Sequence, residues 1–214
     1  MLFSFLVPRH PFDLQLVDNS AYFPRTAGAV AVPEDQNLLN ALTKRNTELS
    51  PTAAELSSIS NLVTKVQAVL DNLVVAPVDF DKCQLEEVRQ VGSFKKGTMK
   101  TGKNVADIVV IFKSIPTKES IEALSKKVEE DLKTSMKTEV VTKAEQININ
   151  LTDKGFDIFN WQARICILIA TLPQNIRKLE SDMQKNMGNH LAAIRHIRWF
   201  EENAHHSSIK VLIR

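Results

Sequence analysis

Residues 92–98 combine residue types that bind phosphate groups, in the order Gly92-Ser93-Phe94-Lys95-Lys96-Gly97-Thr98. A glycine at the start of the loop allows a sharp turn and lets the backbone approach a ligand closely. Ser93 offers a hydroxyl and an N–H at the start of a short helix, where anions bind well, and the two lysines add positive charge. The loop therefore predicts a phosphate-binding site, although Thr98 stands where a Walker A loop requires lysine. The alternative is a strand-turn-helix connection with solvated lysines.

The strand that follows this loop carries a single acidic residue. Residues 106–112 are apolar and β-branched enough to form a strand buried on both faces, and Asp107 lies near its start. An unpaired buried carboxylate is costly, so such a residue is usually paired, protonated or bound to a metal ion. Asp107 is therefore the strongest single candidate for a site residue.

Apolar spacing and helix-start signals predict the elements that position this loop and strand. Prolines in residues 1–33 indicate an extended arm, and residues 34–45 form a short helix. Ser50, followed by proline, predicts the start of a helix that runs to about residue 73. Thr117 is expected to cap another helix, and residues 190–203 form a last one with Trp199 partly buried. The predicted strands cover residues 85–91, 106–112, 139–142, 146–151, 156–159 and 163–172.

Composition limits the classes of function that the chain can have. Its 214 residues can form one sizeable domain or at most two small ones, and the formal charge of +2 leaves no domain-wide surface for nucleic acid. Any such contact must come from local lysines, for which a solvated face is an equal alternative: Lys95, Lys96, Lys100 and Lys103. Two cysteines make neither a metal-binding spacing nor a disulfide framework. No apolar run reaches membrane-spanning length, and the short apolar start lacks the basic residues of a signal peptide.

Histidines and arginines near the end of the chain give weaker signals. The spacing of the histidines matches no common zinc site, so we expect surface or helix-terminal roles for His190, His196, His205 and His206. Arg195 and Arg198 lie on one helical face and could clamp a phosphate, but ion pairs with Glu201 or Glu202 are the favoured use.

Several blocks of the sequence resemble the DZF domain (domain associated with zinc fingers), within the nucleotidyltransferase-like superfamily of the oligoadenylate synthetase type. The most specific blocks are residues 41–46, 72–77, 86–98, 106–110 and 191–204. The resemblance implies an α+β fold, in which helices flank a mixed sheet. It also implies an extended arm over 1–33 and a nucleotidyltransferase-like lobe over 34–214, with the second helical lobe of the family largely missing. The nucleotide-binding residues that it implies are Gly92, Ser93, Lys96, Thr98 and Asp107.

Active members of the superfamily carry an Asp-x-Asp pair on the strand after the loop and a third acid on a later strand. Here Val105 stands at the first acid, Asp107 at the second, and Ala170 at the third if Leu172-Pro173 is aligned with the family's pattern. A two-metal mechanism needs bridging acids, which valine and alanine cannot supply. We therefore expect no catalytic residue and no required cofactor, with Asp107 as the candidate ligand for one Mg²⁺ bound with an NTP.

The resemblance implies a catalytically inactive scaffold subunit in transcriptional and post-transcriptional regulation. Its implied partner is a DZF-containing protein that binds double-stranded RNA, and RNA or DNA is contacted through this heterodimer, in the nucleus and also in the cytoplasm. One alternative is an active template-independent nucleotidyltransferase that uses another acid, namely Asp153, Asp157 or Glu145. A further alternative is a module that binds nucleic acid directly. No membrane partner is expected.

Overall fold

A mixed five-stranded sheet with helices on both faces forms the body of the protein in the computed structural model, which describes residues 33–76, 84–136 and 146–203. The helices are α1 (Pro33–Leu49), α2 (Ala53–Val75), α3 (Gly92–Lys96), α4 (Lys118–Met136), α5 (Pro173–Ile176) and α6 (Ser181–Asn203). The strands are β1 (Leu85–Val91), β2 (Val105–Phe112), β3 (Asn148–Thr152), β4 (Gly155–Phe159) and β5 (Arg164–Thr171). The extended arm predicted before residue 33 and the strand predicted at 139–142 lie outside the described residues.

The strands lie in the order β1-β2-β5-β4-β3. Among these described strands, β2 and β5 pair in parallel and the other neighbours are antiparallel. The elements between β2 and β5 in sequence return the chain to the same end of the sheet, as a parallel pair requires. This mixed sheet with flanking helices confirms the predicted α+β class. Contacts divide the chain into two units, Met1–Leu42 and Thr43–Arg214, and the sheet belongs to the second.

The two faces of the sheet are covered differently. On one face, α2 and α4 bury a large apolar core against the strands, and the stripe predicted for α2 contributes Ile59, Val63, Val66, Leu70 and Leu73. On the other face a smaller cluster joins α6 to the sheet through Val91, Val109, Ile111, Ala170 and Ile197. Near the start of β2 and β5 the polar side chains of Asp107 and Cys166 lie beside one another.

Helix boundaries differ from prediction at three points. Helix α1 ends at Leu49, four residues beyond its predicted end. The cap of α2 is Thr52 rather than Ser50: Thr52 Oγ1 accepts the Glu55 N–H at 3.2 Å, and a Glu55 carboxylate oxygen accepts the Thr52 N–H at 2.7 Å. The Ser50 hydroxyl instead donates to the Asn46 carbonyl at 2.8 Å and so closes α1. Helix α6 begins at Ser181, nine residues before the predicted start. Its first turns are too polar to show an apolar stripe.

The remaining predicted elements agree with the structure or shift by a residue or two. Thr117 caps α4, since its hydroxyl oxygen accepts the Ser120 N–H at 3.2 Å. The predicted hairpin forms as β3 and β4. Trp199 was predicted to be partly buried, but it is 61% exposed. The next residue, Phe200, is the buried aromatic side chain of α6. Among the described helices, none is long and apolar enough to cross a membrane.

Candidate functional site

The turn from β1 into α3 is built around Gly92. This residue has φ of 73°, a left-handed conformation that side chains other than glycine's rarely tolerate. A Cβ atom at this position would also lie 2.1 Å from Oδ2 of Asp107, on the adjacent strand β2. Position 92 therefore requires glycine for its backbone and for its contact with Asp107. The predicted loop and the predicted acid meet at this point.

Of the predicted nucleotide-binding residues, Gly92 and Asp107 line a shared cavity of about 650 Å³. Ser93 is exposed directly after Gly92 but does not line the cavity. Thr98 is buried, and its N–H donates to the Ser93 carbonyl at 2.9 Å. Thr98 thus stabilises the loop through its backbone, and it does not line the cavity that contains Asp107.

The lysines of α3 point toward α6. Lys96 Nζ lies 5.8 Å from the centroid of the Phe200 ring, and Lys95 Nζ lies 3.1 Å from Oε1 of Glu201. Neither lysine lines the cavity that contains Asp107. The structure therefore brings two of the five predicted nucleotide-binding residues together, and the roles of Ser93, Lys96 and Thr98 stay predictions.

Asp107 belongs to a row of three polar side chains that crosses three strands. In the parallel pairing of β2 and β5, Asp107 lies beside Cys166, and in the antiparallel pairing of β4 and β5, Asp157 lies beside the same cysteine. Adjacent strands are about 4.8 Å apart, so the thiol lies between two carboxylates. Asp157 is buried, and its carboxylate accepts a hydrogen bond from the Arg164 guanidinium, with which it forms an ion pair.

This arrangement makes negative charge unfavourable in the row. Burial raises the pKa of Asp107, repulsion from Asp157 raises it further, and Lys154 opposes the shift. Burial and the hydrogen bond with Asp157 raise the pKa of the Cys166 thiol to about 12. Cys166 is therefore a neutral thiol at physiological pH and not a thiolate ligand.

The register corrects one assignment of the missing acids. Val105 lies two residues before Asp107 and so shares its face of the sheet, as expected of the first position in an Asp-x-Asp pair. Ala170, however, lies beside Ile111, four residues along β5 from Cys166, which is roughly 13 Å. The prediction that Ala170 occupies the third acid's place is therefore wrong. On β5 the neighbour of Asp107 is Cys166, which is not an acid either.

The residues around Asp107 do not fit a two-metal centre. In the described parts of the chain, no group of three histidine, cysteine or acidic side chains converges to hold a metal ion. Among the alternative acids, Asp157 is paired with Arg164, Asp153 lines the cavity, and Glu145 lies outside the described residues. Asp107 could take one ion whose remaining ligands are water and phosphate oxygens.

Helix α6 forms the wall of the cavity opposite the strands. It contributes Asn186, Asn189 and His190, none of which was predicted as a site residue. His190 is buried within the helix rather than at its surface or terminus, and its Nδ1 lies 2.6 Å from the Ile169 carbonyl oxygen. Burial lowers the pKa of His190, with Lys154 adding to the effect, so the ring is neutral and donates to that carbonyl. Had the polar start of α6 been recognised as helical, the spacing of these three residues would have placed them on one face.

Comparison with known proteins identifies the family. Residues 1–205 match the DZF N-terminal domain, so the chain belongs to the DZF family. Among solved structures, it is similar to CdnC from E. coli MS115-1 in complex with HORMA-deltaN, with 14% identity and a TM-score of 0.42 over 62% of this chain and 42% of that one. It is also similar to the Cid1 poly(U) polymerase with Mg and 3′-dATP bound, with 11% identity and a TM-score of 0.41 over 63% of this chain and 37% of that one. The chain thus spans about two fifths of the length of these solved chains.

Proposed function

We propose that this DZF-family chain is a catalytically inactive, nucleotidyltransferase-like scaffold whose cavity binds an NTP with at most one Mg²⁺. The observation that carries the proposal is the row Asp107–Cys166–Asp157, in which a neutral thiol separates the Asp107 carboxylate from an acid that is already paired with Arg164. Val105 adds an apolar side chain on the same face. Of the three described acids that line the cavity, Asp157 is paired with Arg164 and Asp153 lies exposed on the turn between β3 and β4. The described strands thus offer one carboxylate without an arginine partner, where the two-metal mechanism requires several.

A single carboxylate is still compatible with nucleotide binding. Mg²⁺ keeps several waters and is commonly held by one or two protein carboxylates together with substrate phosphates. Asp107 would provide that carboxylate, and Lys154 and Arg164, which line the same cavity, would contribute positive charge toward a triphosphate. Because burial raises the pKa of Asp107, we expect cation binding to weaken as the pH falls toward that raised value.

The test of inactivity is an incorporation assay on the full chain. The protein is incubated with Mg²⁺ or Mn²⁺, labelled NTPs and single-stranded RNA, with the Cid1 poly(U) polymerase as the active control. We expect no incorporation above the background without protein. Robust product formation that disappears in Asp157→Ala would overturn the proposal and favour the active alternative, in which Asp157 is a metal ligand.

Nucleotide binding is tested separately by thermal shift with ATP, UTP and GTP, with and without Mg²⁺. A ligand at one hundred times its dissociation constant adds about 2.7 kcal/mol to the free energy of unfolding, which is readily detected. We expect the stabilisation to require Mg²⁺ and to be lost in Asp107→Ala. Stabilisation that survives this substitution unchanged would assign the nucleotide to another place.

The partner in this proposal is a second DZF-containing protein that binds double-stranded RNA. The match to the DZF N-terminal domain supports this choice of partner family. We further propose that the heterodimer acts in transcriptional and post-transcriptional regulation, in the nucleus and also in the cytoplasm, as the sequence resemblance implies. RNA or DNA would be contacted through the complex. Co-expression with a DZF partner followed by size-exclusion chromatography tests the pairing, and separate elution of the two chains would contradict it.

A further inference from the structure

A second cavity, of about 390 Å³, lies between the β4–β5 turn and the start of β2. Its walls consist mainly of carboxamide and aromatic side chains: Gly102, Asn104, Asn150, Phe159, Asn160, Trp161, Gln162, Ala163 and Arg164. Arg164 also lines the cavity that contains Asp107, and the other eight residues do not. The second cavity is therefore a distinct place on the molecule.

Trp161 is presented at the rim of this cavity by a rigid turn. Trp161 is 71% exposed, which is unusual for a residue with so large an apolar side chain. The turn is fixed from within, because Asn160 Oδ1 accepts the N–H groups of Gln162 at 2.9 Å and Ala163 at 2.8 Å. The Asn160 N–H in turn donates to the Ala163 carbonyl at 3.0 Å. The turn therefore restricts the backbone of Trp161 and keeps its indole ring exposed to solvent.

Asn104, which also lines this cavity, carries a buried acceptor without a hydrogen-bond partner. Its Nδ2 donates to Ser58 Oγ and to the Gln162 carbonyl oxygen, both at 2.8 Å. Since a backbone carbonyl can only accept, this contact fixes which end of the amide is the nitrogen. The opposite atom, Oδ1, is buried and has no hydrogen-bond partner. A buried acceptor without a partner is unfavourable, so a ligand that donates a hydrogen bond here would remove that penalty.

The charge around this cavity suits a polyanion. Among the described residues that line it, none is acidic, and Arg164 keeps about half of its side chain exposed. Lys100 and Lys103 flank Gly102, are exposed, and form no ion pair with a described residue. Two carboxylates contact residues that line the cavity: that of Glu55 accepts hydrogen bonds from Thr52, Thr101 and Gly102, and that of Asp157 is paired with Arg164.

From these observations we propose that this cavity binds an unpaired base of a single-stranded nucleic acid. The base stacks on Trp161, its donor edge faces Oδ1 of Asn104, and the flanking phosphates lie near Arg164, Lys100 and Lys103. An exposed aromatic ring beside basic side chains is the usual arrangement for binding single strands with little sequence preference. This contact is direct and does not depend on the scaffold role proposed above.

The two tryptophans of the chain make a direct test possible, since Trp199→Phe leaves Trp161 as the only indole. The full chain with this substitution is titrated with single-stranded RNA and DNA oligonucleotides and with a fully paired RNA duplex, while Trp fluorescence is followed. We expect both single strands to quench the emission and the duplex to leave it unchanged. With three cations facing the phosphates, the logarithm of the association constant should fall against the logarithm of the salt concentration with a slope of about −2.

Variants separate the cavity from other surfaces. Trp161→Ala should weaken single-strand binding by about tenfold or more, measured by anisotropy of a labelled oligonucleotide, because stacking on one aromatic ring contributes that much. Trp199→Ala, which removes the other exposed tryptophan, should leave binding unchanged. The proposal is overturned if wild type shows no binding, if the duplex quenches equally, or if Trp161→Ala binds as wild type does.

Discussion

The carboxylate of Asp107 occupies the space where a side chain at position 92 would begin: a Cβ built on Gly92 would lie 2.1 Å from Asp107 Oδ2 and 3.3 Å from Asp107 Cβ. The turn after β1 and the acid on β2 are therefore one packed unit. The antiparallel pairing that places Val91 beside Asp107 sets this contact. The missing side chain at position 92 leaves room for the carboxylate beside an otherwise apolar strand.

Gly92→Ala should destabilise the protein by about 2 kcal/mol or more. A left-handed conformation costs a non-glycine residue roughly 1–2 kcal/mol, and the new methyl group must also displace the Asp107 carboxylate. Urea denaturation measures the loss. In an Asp107→Ala background the same substitution should cost less, because the displaced carboxylate is gone and only the backbone penalty remains. Equal losses in both backgrounds would show that the contact contributes nothing.

Asp107→Asn should raise the melting temperature at neutral pH. The folded-state pKa of Asp107 is raised above its ordinary value of 3.8, so the folded protein binds the proton more tightly than the unfolded chain does. The stability of the wild type therefore falls as the pH rises through that window, whereas the variant has no such group to titrate. The difference between the two melting temperatures should be largest near pH 7 and should disappear by about pH 4.

Asp153 is an exposed acid and serves as the control for the pH dependence of Asp107→Asn. Asp153→Asn, at the turn between β3 and β4, changes the same atoms on the rim of the same cavity. We expect only a small effect on melting temperature at either pH. A gap for Asp107→Asn that is the same at pH 4 and pH 7 would contradict the burial-driven shift in the Asp107 pKa.

Arg164→Gln should lower the free energy of unfolding by roughly 2 kcal/mol, since it leaves the buried Asp157 carboxylate without its cation. The loss is limited because the Arg164 side chain is half exposed, so water can reach the Asp157 carboxylate in the variant. Asp157→Asn added to this variant should recover part of the loss. Arg89→Gln is the matched control, as it breaks an ion pair with Glu87 in which both partners are exposed, and little change is expected. Similar losses for the two arginines would refute the special role of the buried acid.

Thr52→Ala should cost about 1 kcal/mol of stability, because it removes the side-chain cap of α2. Thr64→Ala makes the same chemical change in the middle of the same helix, where alanine is the better helix former, and should not destabilise. Chemical denaturation of both variants gives the comparison. Equal behaviour of the two would mean that the cap contributes nothing to the fold.

The parts of the fold that the sequence predicted well are those with local signals. Three examples are the apolar run that becomes β2, the apolar stripe of α2 and the turn between β3 and β4. Each depends on residues that are close together in the sequence. The glycine at position 92 and the acid at 107 were also identified locally. The structure added their contact, which joins segments fifteen residues apart through strand pairing.

What the sequence did not predict depends on register between distant segments. The position of the third acid was assigned from a motif near Pro173, whereas the pairing of β2 with β5 makes Cys166 the neighbour of Asp107. The cavity at Trp161 combines a turn after β4 with Asn104 before β2, and neither segment carries a signal on its own. The early start of α6 was not predicted because its first turns are too polar to show an apolar stripe.

The number of metal ions at Asp107 tests the central claim most directly. Electron paramagnetic resonance of the full chain with Mn²⁺ and a non-hydrolysable ATP analogue distinguishes a single ion from a spin-coupled pair, which a two-metal site would hold about 3.5–4 Å apart. We predict no coupled pair, at most one protein-bound ion per nucleotide, and loss of that ion in Asp107→Ala. A coupled Mn²⁺ pair that disappears in Asp107→Ala or in Asp157→Ala would contradict the account.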